Sequence, residues 1–229
     1  MTTPLILLGY GGNVVDIVDM VDDINDANDA EGARYELLGF LDRREEMQGK
    51  SFHGFPMLGR FTDAAQFVER YPAVRFTTWI GRSDTYLERP AVIEGLGLPP
   101  ERFQTLIHPT TYVSRRAHIG RGVLLYQHCT VSNSAVLGDH VVVLPHSVIS
   151  HDCALGEYAV ATSNVTVGSE AKVGRNCYLG TGCSMLPGVT IGEGSLVGLS
   201  SVVLRDVEPY KVVVGNPARV LRDARPSSA

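Results

Sequence analysis

A six-residue repeat runs through the second half of the chain and limits the available folds more than any other feature. Seventeen positions, counted every six residues from Ile107 to Val203, hold Ile, Leu or Val in fifteen cases. The residue four places further on is small in each hexad up to Ser201. One aliphatic and one small inward position per hexad are typical of a hexapeptide β-helix, in which three hexads close a triangular coil. The pattern predicts a β-helix of about five coils over residues 107–204.

Cysteine and glycine have regular places in this repeat. The small inward position holds all four cysteines, which are Cys129, Cys153, Cys177 and Cys183. We interpret them as small apolar fillers of the interior, with no nucleophilic or metal-binding role. Glycine often follows the aliphatic residue directly. We expect those glycines to relieve the backbone at the corners, where φ can be positive.

The first hundred residues have a different pattern, in which strands alternate with helices. The predicted strands are 5–8, 35–41, 74–80 and 103–107, and the predicted helices follow residue 13 and lie near 62–70 and 84–95. This alternation indicates a small parallel, Rossmann-like sheet. We therefore predict two domains, an α/β domain over residues 1–106 and a β-helix domain with a C-terminal tail over residues 107–229.

A glycine turn, GYGGN at residues 9–13, lies between the first predicted strand and helix. Backbone N–H groups at such a helix start can bind phosphate oxygens. An acidic residue that ends the second strand, here Asp42, can bind a ribose hydroxyl. The dinucleotide fingerprint requires glycine where Val14 stands, so the turn favours a smaller phosphorylated ligand over NAD. A tight turn without a ligand is the alternative.

Composition and charge argue against several classes of function. The chain has 229 residues, 44% of them hydrophobic and 20% charged, which is typical of a soluble globular protein. A formal net charge of −5 argues against a nucleic-acid surface. We find neither a signal-peptide pattern nor an apolar run long enough to span a membrane, and we expect a cytoplasmic protein.

Histidines at outward positions of the repeat are candidates for chemistry outside the coils. Asp152 follows His151, and a carboxylate beside an imidazole fixes its tautomer and raises its basicity, as a general base requires. A surface pair without a function is the equal alternative. His128 and His146 are eighteen residues apart, so they stack on successive coils. We interpret them as a solvated ladder rather than as metal ligands, and we expect no metal.

Several motifs, taken in order, resemble the left-handed β-helix nucleotide-sugar acetyltransferases. This hexapeptide-repeat group includes the bacillosamine-pathway and perosamine N-acetyltransferases and the sialic acid O-acetyltransferases. The motifs cover nearly the whole chain: GYGGN (9–13), GFLD (39–42), FPMLG (55–59), WIG (79–81), IHPT (107–110), SHDC (150–153) and GNPARVL (215–221). The resemblance implies transfer of the acetyl group of acetyl-CoA to the amine of a nucleotide-linked amino-deoxy sugar, with a 4-amino-4,6-dideoxyhexose as the expected acceptor.

The resemblance also implies roles for single residues. His151 would be the general base, and Asp152 would tune its basicity. The nucleotide and its pyrophosphate would be held by Gly11, Gly12, Asn13, Asp42, Arg43 and Gly81. Coenzyme A would lie between neighbouring subunits of a homotrimer, against Ser169, Gly180, Thr181, Gly198 and Leu199.

Three other functions stay open on the sequence. The chain departs from the family pattern at Asn13, Leu144 and Val160, which is compatible with a non-catalytic nucleotide-sugar-binding protein. The second open function is transfer of the acetyl group to a sugar hydroxyl, as in the O-acetylating relatives. A γ-class carbonic anhydrase is the third. His146 and His151 have the spacing of that family's zinc ligands, although Thr110 stands where the third ligand is expected.

Overall fold

The computed structural model describes residues 2–28 and 34–224 and divides the chain into two compact units. The first unit comprises Met1–Ile80 and Ala91–Pro109, and the second comprises Gly81–Pro90 and Thr110–Ala229. The predicted domain boundary at 106/107 lies three residues before the end of the first unit at Pro109. The prediction had one boundary only, so it did not include the assignment of residues 81–90 to the second unit. Within the described residues, no helix combines the length and the apolar character needed to cross a membrane.

The first unit contains a five-stranded sheet. The strands are β1 (Thr2–Leu8), β2 (Arg34–Leu41), β3 (Ser51–Phe52), β4 (Phe55–Gly59), β5 (Arg75–Thr78) and, outside the sheet of five, β6 (Leu106–Ile107). The helices are α1 (Gly12–Ala27), α2 (Ala64–Arg70) and α3 (Arg89–Glu94), with 3₁₀ turns at Glu45–Met47, Phe61–Asp63, Tyr86–Glu88 and Pro100–Arg102. The sheet order is β3-β4-β2-β1-β5, parallel except for the β3–β4 hairpin.

The parallel sheet and its helices confirm the alternating pattern of the sequence. Leu5, Ile6, Leu7 and Leu8 have no exposed surface, as expected of a parallel strand that is covered on both faces. The apolar residues of α1 lie buried on one side, and its aspartates are exposed. Two predictions were incomplete. The hairpin at 51–59 was not predicted, because its first strand, β3, has only two residues and shows no sequence pattern. The strand predicted at 103–107 is a regular strand only at Leu106–Ile107.

The second unit is a parallel β-helix of short strands. They are β7 (Tyr112–Val113), β8 (His118–Ile119), β9 (Leu124–Leu125), β10 (Thr130–Val131), β11 (Val136–Leu137), β12 (Val142–Val143), β13 (Val148–Ile149), β14 (Ala154–Leu155), β15 (Val160–Ala161), β16 (Thr166–Val167), β17 (Lys172–Val173), β18 (Tyr178–Leu179), β19 (Ser184–Met185), β20 (Thr190–Ile191), β21 (Leu196–Val197) and β22 (Val202–Val203). Each strand from β7 to β19 pairs in parallel with the one eighteen residues further on, as Val131 does with Ile149. The predicted hexad register is therefore confirmed, and β23 (Lys211–Val214) and β24 (Arg219–Asp223) follow as an antiparallel pair.

The interior of the coils contains the residues that the repeat placed there. Ile149, Val167 and Leu179 have no exposed surface. The four cysteines are at most 1% exposed and none forms a disulfide. Burial raises the pKa of all four thiols, which keeps them protonated near neutral pH. Their predicted burial in the interior of the coils is confirmed.

The glycines after the aliphatic positions serve a purpose different from the one expected. One complete column consists of Gly120, Gly138, Gly156, Gly174 and Gly192, and none of them has φ in the left-handed region. A Cβ at any of them would lie 2.3–2.7 Å from a backbone nitrogen of the next coil. The expected positive φ occurs two residues later, for example at His140 and Tyr158. The prediction was wrong because clearance between stacked coils, not backbone torsion, excludes a side chain here.

Candidate functional site

The turns of the second unit line up in three corners, because successive coils stack eighteen residues apart. The His151 corner contains turn residues 133–134, 151–152, 169–170 and 187–188. The His146 corner contains 127–128, 145–146, 163–164, 181–182 and 199–200. The His140 corner contains 121–122, 139–140, 157–158, 175–176 and 193–194. Outward side chains of one corner therefore lie above one another, and the three corners are separate edges of the coil.

The turn that carries His151 is held by the coils on both sides. The Asp152 N–H donates to the Asn133 carbonyl at 3.0 Å, and the Glu170 N–H donates to the His151 carbonyl at 3.1 Å. Asp152 has a φ of 59°, in the left-handed region that aspartate tolerates better than most residues. The backbone beneath His151 is thus part of a rigid stack rather than of a free loop.

The side chains of His151 and Asp152 form a pair at the surface. Nδ1 of the histidine lies 2.7 Å from Oδ2 of the aspartate, and the two side chains are 54% and 53% exposed. Because an ionised carboxylate can only accept, Nδ1 carries the proton in this contact, and Nε2 of the neutral imidazole keeps its lone pair. That lone pair can take a proton from an attacking amine or hydroxyl group. The predicted pairing of the two residues is confirmed.

The residues predicted to contact coenzyme A fall on two corners. Ser169 lies half-buried on the His151 corner, one coil beyond the histidine. The His146 corner carries the other four at or directly before its turns, namely Gly180, Thr181, Gly198 and Leu199. Leu199 is 76% exposed, whereas a Cβ at Gly180 would lie 2.7 Å from the Leu199 nitrogen, so packing alone accounts for that glycine. One chain does not bring the two groups together.

The two histidines of the His146 corner stack as the repeat predicted. The rings of His128 and His146 are 5.1 Å apart and nearly parallel, and both residues are exposed. Thr110, one coil before His128, accepts a hydrogen bond from the His128 N–H at 3.1 Å. Among residues 2–28 and 34–224, no group of three or more His, Cys, Asp or Glu side chains is arranged to hold a metal ion.

The segment 81–90 runs across the His140 corner and is bonded to three successive coils. Nη1 of Arg89 donates to the Tyr158 carbonyl at 2.8 Å, Nδ2 of Asn176 donates to the Leu87 carbonyl at 3.4 Å, and the Tyr86 hydroxyl donates to the Gly194 carbonyl at 2.8 Å. Arg89 is completely buried. Nε and Nη2 of Arg89 have no hydrogen-bond partner among the described residues, and burial lowers its pKa to about 9.

Gly81 begins this segment and is constrained by its neighbours. Its φ is 124°, which favours glycine, and a Cβ there would lie 3.1 Å from Cδ of Arg89. The backbone conformation and Arg89 therefore explain the glycine by themselves. The predicted nucleotide-binding role of Gly81 stays a prediction.

The glycine turn of the first unit leaves open space at its third residue. Gly9 has a φ of 90°, and its N–H donates to the Leu41 carbonyl at 2.7 Å, so that β1 ends beside the end of β2. Gly11 directly precedes α1, has extended backbone, and a Cβ there would meet nothing within 4 Å. Neither torsion nor packing within the described chain requires a glycine at position 11. The backbone of Gly12 and Asn13 forms the start of α1.

Asp42, at the end of β2, is bonded to an arginine that the sequence did not single out. Nε and Nη2 of Arg44 lie 2.9 Å from the two carboxylate oxygens of Asp42, and Nη2 also donates to the Tyr10 carbonyl at 2.6 Å. Burial by itself raises the pKa of Asp42, but the hydrogen bonds from Arg44 and Tyr10 outweigh it and hold that pKa below the usual range. Arg43, the predicted ligand, is exposed. The Arg44 N–H also donates to Oδ1 of Asp42 at 2.9 Å, in the turn that an aspartate commonly makes with the residue two positions further on, and this spacing is the signal that distinguishes Arg44 from Arg43.

A cavity of about 330 Å³ lies at the C-terminal end of the β-helix. Residues 203–208, Val213 and 218–220 line it. It contains none of the residues predicted for catalysis, nucleotide binding or coenzyme A binding.

Comparison with solved structures defines the fold. PerB of Caulobacter crescentus, bound to CoA and GDP-perosamine, superposes with a TM-score of 0.80 over 95% of this chain and 96% of that one, at 22% identity. The acetyltransferase domain of PglB from Neisseria gonorrhoeae matches with a TM-score of 0.77 over 96% and 100%, at 23% identity. This chain has their fold. The second unit is accordingly a left-handed β-helix, and the resemblance inferred from the motifs is confirmed at the level of the fold.

The sequence relatives align with a much shorter part of the chain than the solved structures do. A Staphylococcus aureus protein named as a candidate acetyltransferase is 50% identical over 50 residues, which are 22% of this chain and 25% of that protein. The chloramphenicol acetyltransferase of Agrobacterium fabrum is 38% identical over 53 residues, 23% of this chain and 25% of the enzyme. The chain thus spans about a quarter of the length of these relatives. No protein-family model matches it.

Proposed function

We propose that the protein transfers the acetyl group of acetyl-CoA to the amine of a nucleotide-linked amino-deoxy sugar, most specifically a 4-amino-4,6-dideoxyhexose. The observation that carries the proposal is the His151–Asp152 pair, half exposed on a turn that two neighbouring coils hold in place. The fold supports it, because PerB, which shares that fold, was solved with CoA and GDP-perosamine bound.

The reaction requires one proton acceptor and a precise alignment of two substrates. The sugar amine attacks the thioester carbonyl, forming a C–N bond, and His151 Nε2 takes the proton that the nitrogen loses. Collapse of the tetrahedral intermediate breaks the C–S bond and releases coenzyme A as the thiol, once its sulfur has received a proton. Asp152 keeps Nδ1 protonated throughout, so that Nε2 is the nitrogen that exchanges the proton. Alignment of the two substrates supplies much of the acceleration.

A second copy of the chain completes the site in this proposal. Ser169 and His151 lie on one corner, whereas Thr181 and Leu199 lie on another, and a second chain would let both sets contact a single coenzyme A. A homotrimer of parallel coils places the His151 corner of one chain beside the His146 corner of the next. The coenzyme would then lie between subunits, as the resemblance implies.

The four buried thiols also bear on the compartment. They are free and buried in the structure, which is compatible with a reducing compartment. We accordingly place the activity in the cytoplasm.

Thiol release from acetyl-CoA tests the reaction, with UDP-, dTDP- and GDP-linked 4-amino-4,6-dideoxyhexoses and their hydroxyl analogues as acceptors. Turnover with an amino sugar and none with its hydroxyl analogue is expected. Turnover with the hydroxyl sugar alone would replace the proposal by O-acetyl transfer. No turnover with any acceptor, while the nucleotide sugar still binds, would indicate a non-catalytic binding protein.

Replacement of the proposed base gives the sharper test of mechanism. His151→Ala should lower kcat by at least about 100-fold and leave coenzyme A affinity unchanged, because only the proton acceptor is removed. His118→Ala is the matched control, since it removes an exposed imidazole that lies on neither the His151 corner nor the His146 corner. A His151→Ala enzyme with a near-normal rate would exclude this residue as the base.

A further inference from the structure

The Asp42 carboxylate has no capacity left for a ligand. One oxygen, Oδ1, accepts from the backbone N–H and from Nε of Arg44, both at 2.9 Å. The other, Oδ2, accepts from the Tyr10 N–H at 2.8 Å and from Nη2 of Arg44 at 2.9 Å. An ionised carboxylate offers about four acceptor positions, and all are occupied. A ribose hydroxyl could bond to Asp42 only by displacing one of these charge-assisted bonds, and the residue is also only 3% exposed.

Three hydrogen bonds hold the guanidinium of Arg44 in place. Nε and Nη2 are held by Asp42, and Nη2 is also bonded to the Tyr10 carbonyl. Tyr10 is itself held, because its ring packs 4.0 Å from that of Phe52 and edge-on to Phe40. Gln48 bridges the carbonyls of Asp42 and Arg44 with its Nε2. A side chain that normally samples many rotamers is therefore held in one position.

One edge of this guanidinium stays available. Nη1 has no hydrogen-bond partner among the described residues, and the Arg44 side chain is 43% exposed. The carboxylate beneath it raises the pKa of Arg44, so that it is charged at any physiological pH. Its partner Tyr10 directly precedes Gly11, whose missing Cβ leaves open space. No acidic side chain stands in the first turn of α1 to oppose an anion.

We infer that Arg44 is the phosphate ligand of the nucleotide site, and that Asp42 is a positioning residue for Arg44 rather than a ribose ligand. The inference rests on the proposed function for the class of ligand, a nucleoside diphosphate group. A phosphate oxygen would accept from the two free N–H groups of Nη1. Because Asp42 has already fixed the arginine, little side-chain entropy is lost when the phosphate binds.

The test compares a diphosphate with its nucleoside on the full chain. UDP, dTDP and GDP are titrated by calorimetry, and the tightest binder is then compared with the nucleoside of the same base. Arg44→Met should weaken diphosphate binding about 10- to 100-fold and leave nucleoside binding unchanged. Arg43→Met, which removes the neighbouring exposed charge, should change the diphosphate affinity by less than about threefold. Equal losses in the two variants, or a wild-type chain that binds no diphosphate, would overturn the inference.

Asp42→Asn separates a positioning role from a direct one. If Asp42 acts through Arg44, this variant lowers diphosphate affinity but not nucleoside affinity, and it adds little to the loss in Arg44→Met. If Asp42 binds the ribose directly, nucleoside affinity falls too, and the inference fails. Arg44→Lys, which keeps the charge and the fold, should retain part of the diphosphate affinity. Acetyl transfer is measured in a separate assay. If the chain binds the diphosphate through Arg44 but shows no acetyl transfer, the proposed function is contradicted and the inference about Arg44 is not.

Discussion

Burial sets the chemistry of single side chains in the coils, and His140 is the clearest case. It is 6% exposed, stacks on the Tyr158 ring at 5.1 Å, and has Arg89 and Asp139 as its charged neighbours. Burial, reinforced by the Arg89 charge, lowers its pKa from 6.5 to about 4. His140 is therefore neutral in the folded protein at neutral pH. The exposed histidines at the other corners have no such environment.

This low pKa makes the stability of the fold depend on pH. The unfolded chain binds the His140 proton first as the pH falls, so the stabilisation is complete above about pH 6.5 and is lost progressively toward pH 4. The loss amounts to roughly 2–3 kcal/mol. His140→Asn, which tolerates the φ of 60°, should remove this part of the acid sensitivity in urea unfolding at pH 7 and pH 4.5. His128→Asn, at an exposed position with a φ of 59°, should keep it. An equal pH dependence in both variants would contradict the role of His140.

The buried thiols should be inert in the native protein. Burial raises the pKa of Cys177 and Cys183 to about 12, and only a thiolate reacts with a disulfide reagent. We expect Ellman's reagent at pH 8 to label no thiol of the native chain and all four after denaturation. Rapid native labelling would show that the coils open. Inert thiols also remove the background from a thiol-release assay.

At the scale of elements, the column of glycines decides how closely the coils stack. Gly156 lies against the next coil so that a Cβ would be 2.6 Å from the Arg175 nitrogen and 2.8 Å from the Gly174 carbonyl carbon. Both are backbone atoms and cannot move aside without breaking the parallel pairing of β14 with β17. The column therefore acts as a spacing device that runs the length of the β-helix.

Gly156→Ala should destabilise the protein although alanine is the smallest possible change. The methyl group forces two coils apart, at a cost of about 2 kcal/mol or more, which thermal unfolding would detect as a lower Tm. Ser132→Ala is the control, because it occupies the same hexad position in another column, where a side chain already fits. A Gly156→Ala protein as stable as the control would mean that the coils tolerate wider spacing.

At the scale of the whole molecule, the proposed trimer makes the active site a property of two chains. His151→Ala and Leu199→Glu should each abolish activity, the first by removing the base and the second by placing a negative charge beside the coenzyme phosphates. Mixed trimers, formed by refolding the two inactive variants together, contain some interfaces with both residues intact. Random mixing should restore about a quarter of the wild-type activity.

Sedimentation of the wild-type chain provides the control for that experiment. It should show a species three times the 24.8 kDa of one chain. A monomer with full activity, or a mixture that stays inactive although it forms trimers, would place the whole site within one chain. Either result would remove the inter-subunit part of the proposed function.

Much of this fold could be predicted because its determinants are periodic. From β7 to β22, successive strands are six residues apart and stacked strands are eighteen apart, so one pattern of aliphatic and small residues specifies strands, burial and register together. The burial of Cys153, the exposure of His151 and the stacking of His128 on His146 follow from that period alone. The α/β unit was less predictable, since its two-residue strand β3 has too few residues to show a pattern.

What the sequence determined by itself was therefore the hexad register, the inward residues and the pairing of His151 with Asp152, since each depends on neighbours at a fixed spacing. Only the tertiary structure decided that Tyr10 joins the Asp42–Arg44 pair, because that contact depends on how β1 and β2 align residues more than thirty positions apart. It also decided why one column must be glycine. The glycines are required by the short distance between the backbones of stacked coils, and that distance cannot be read from the residues around each glycine.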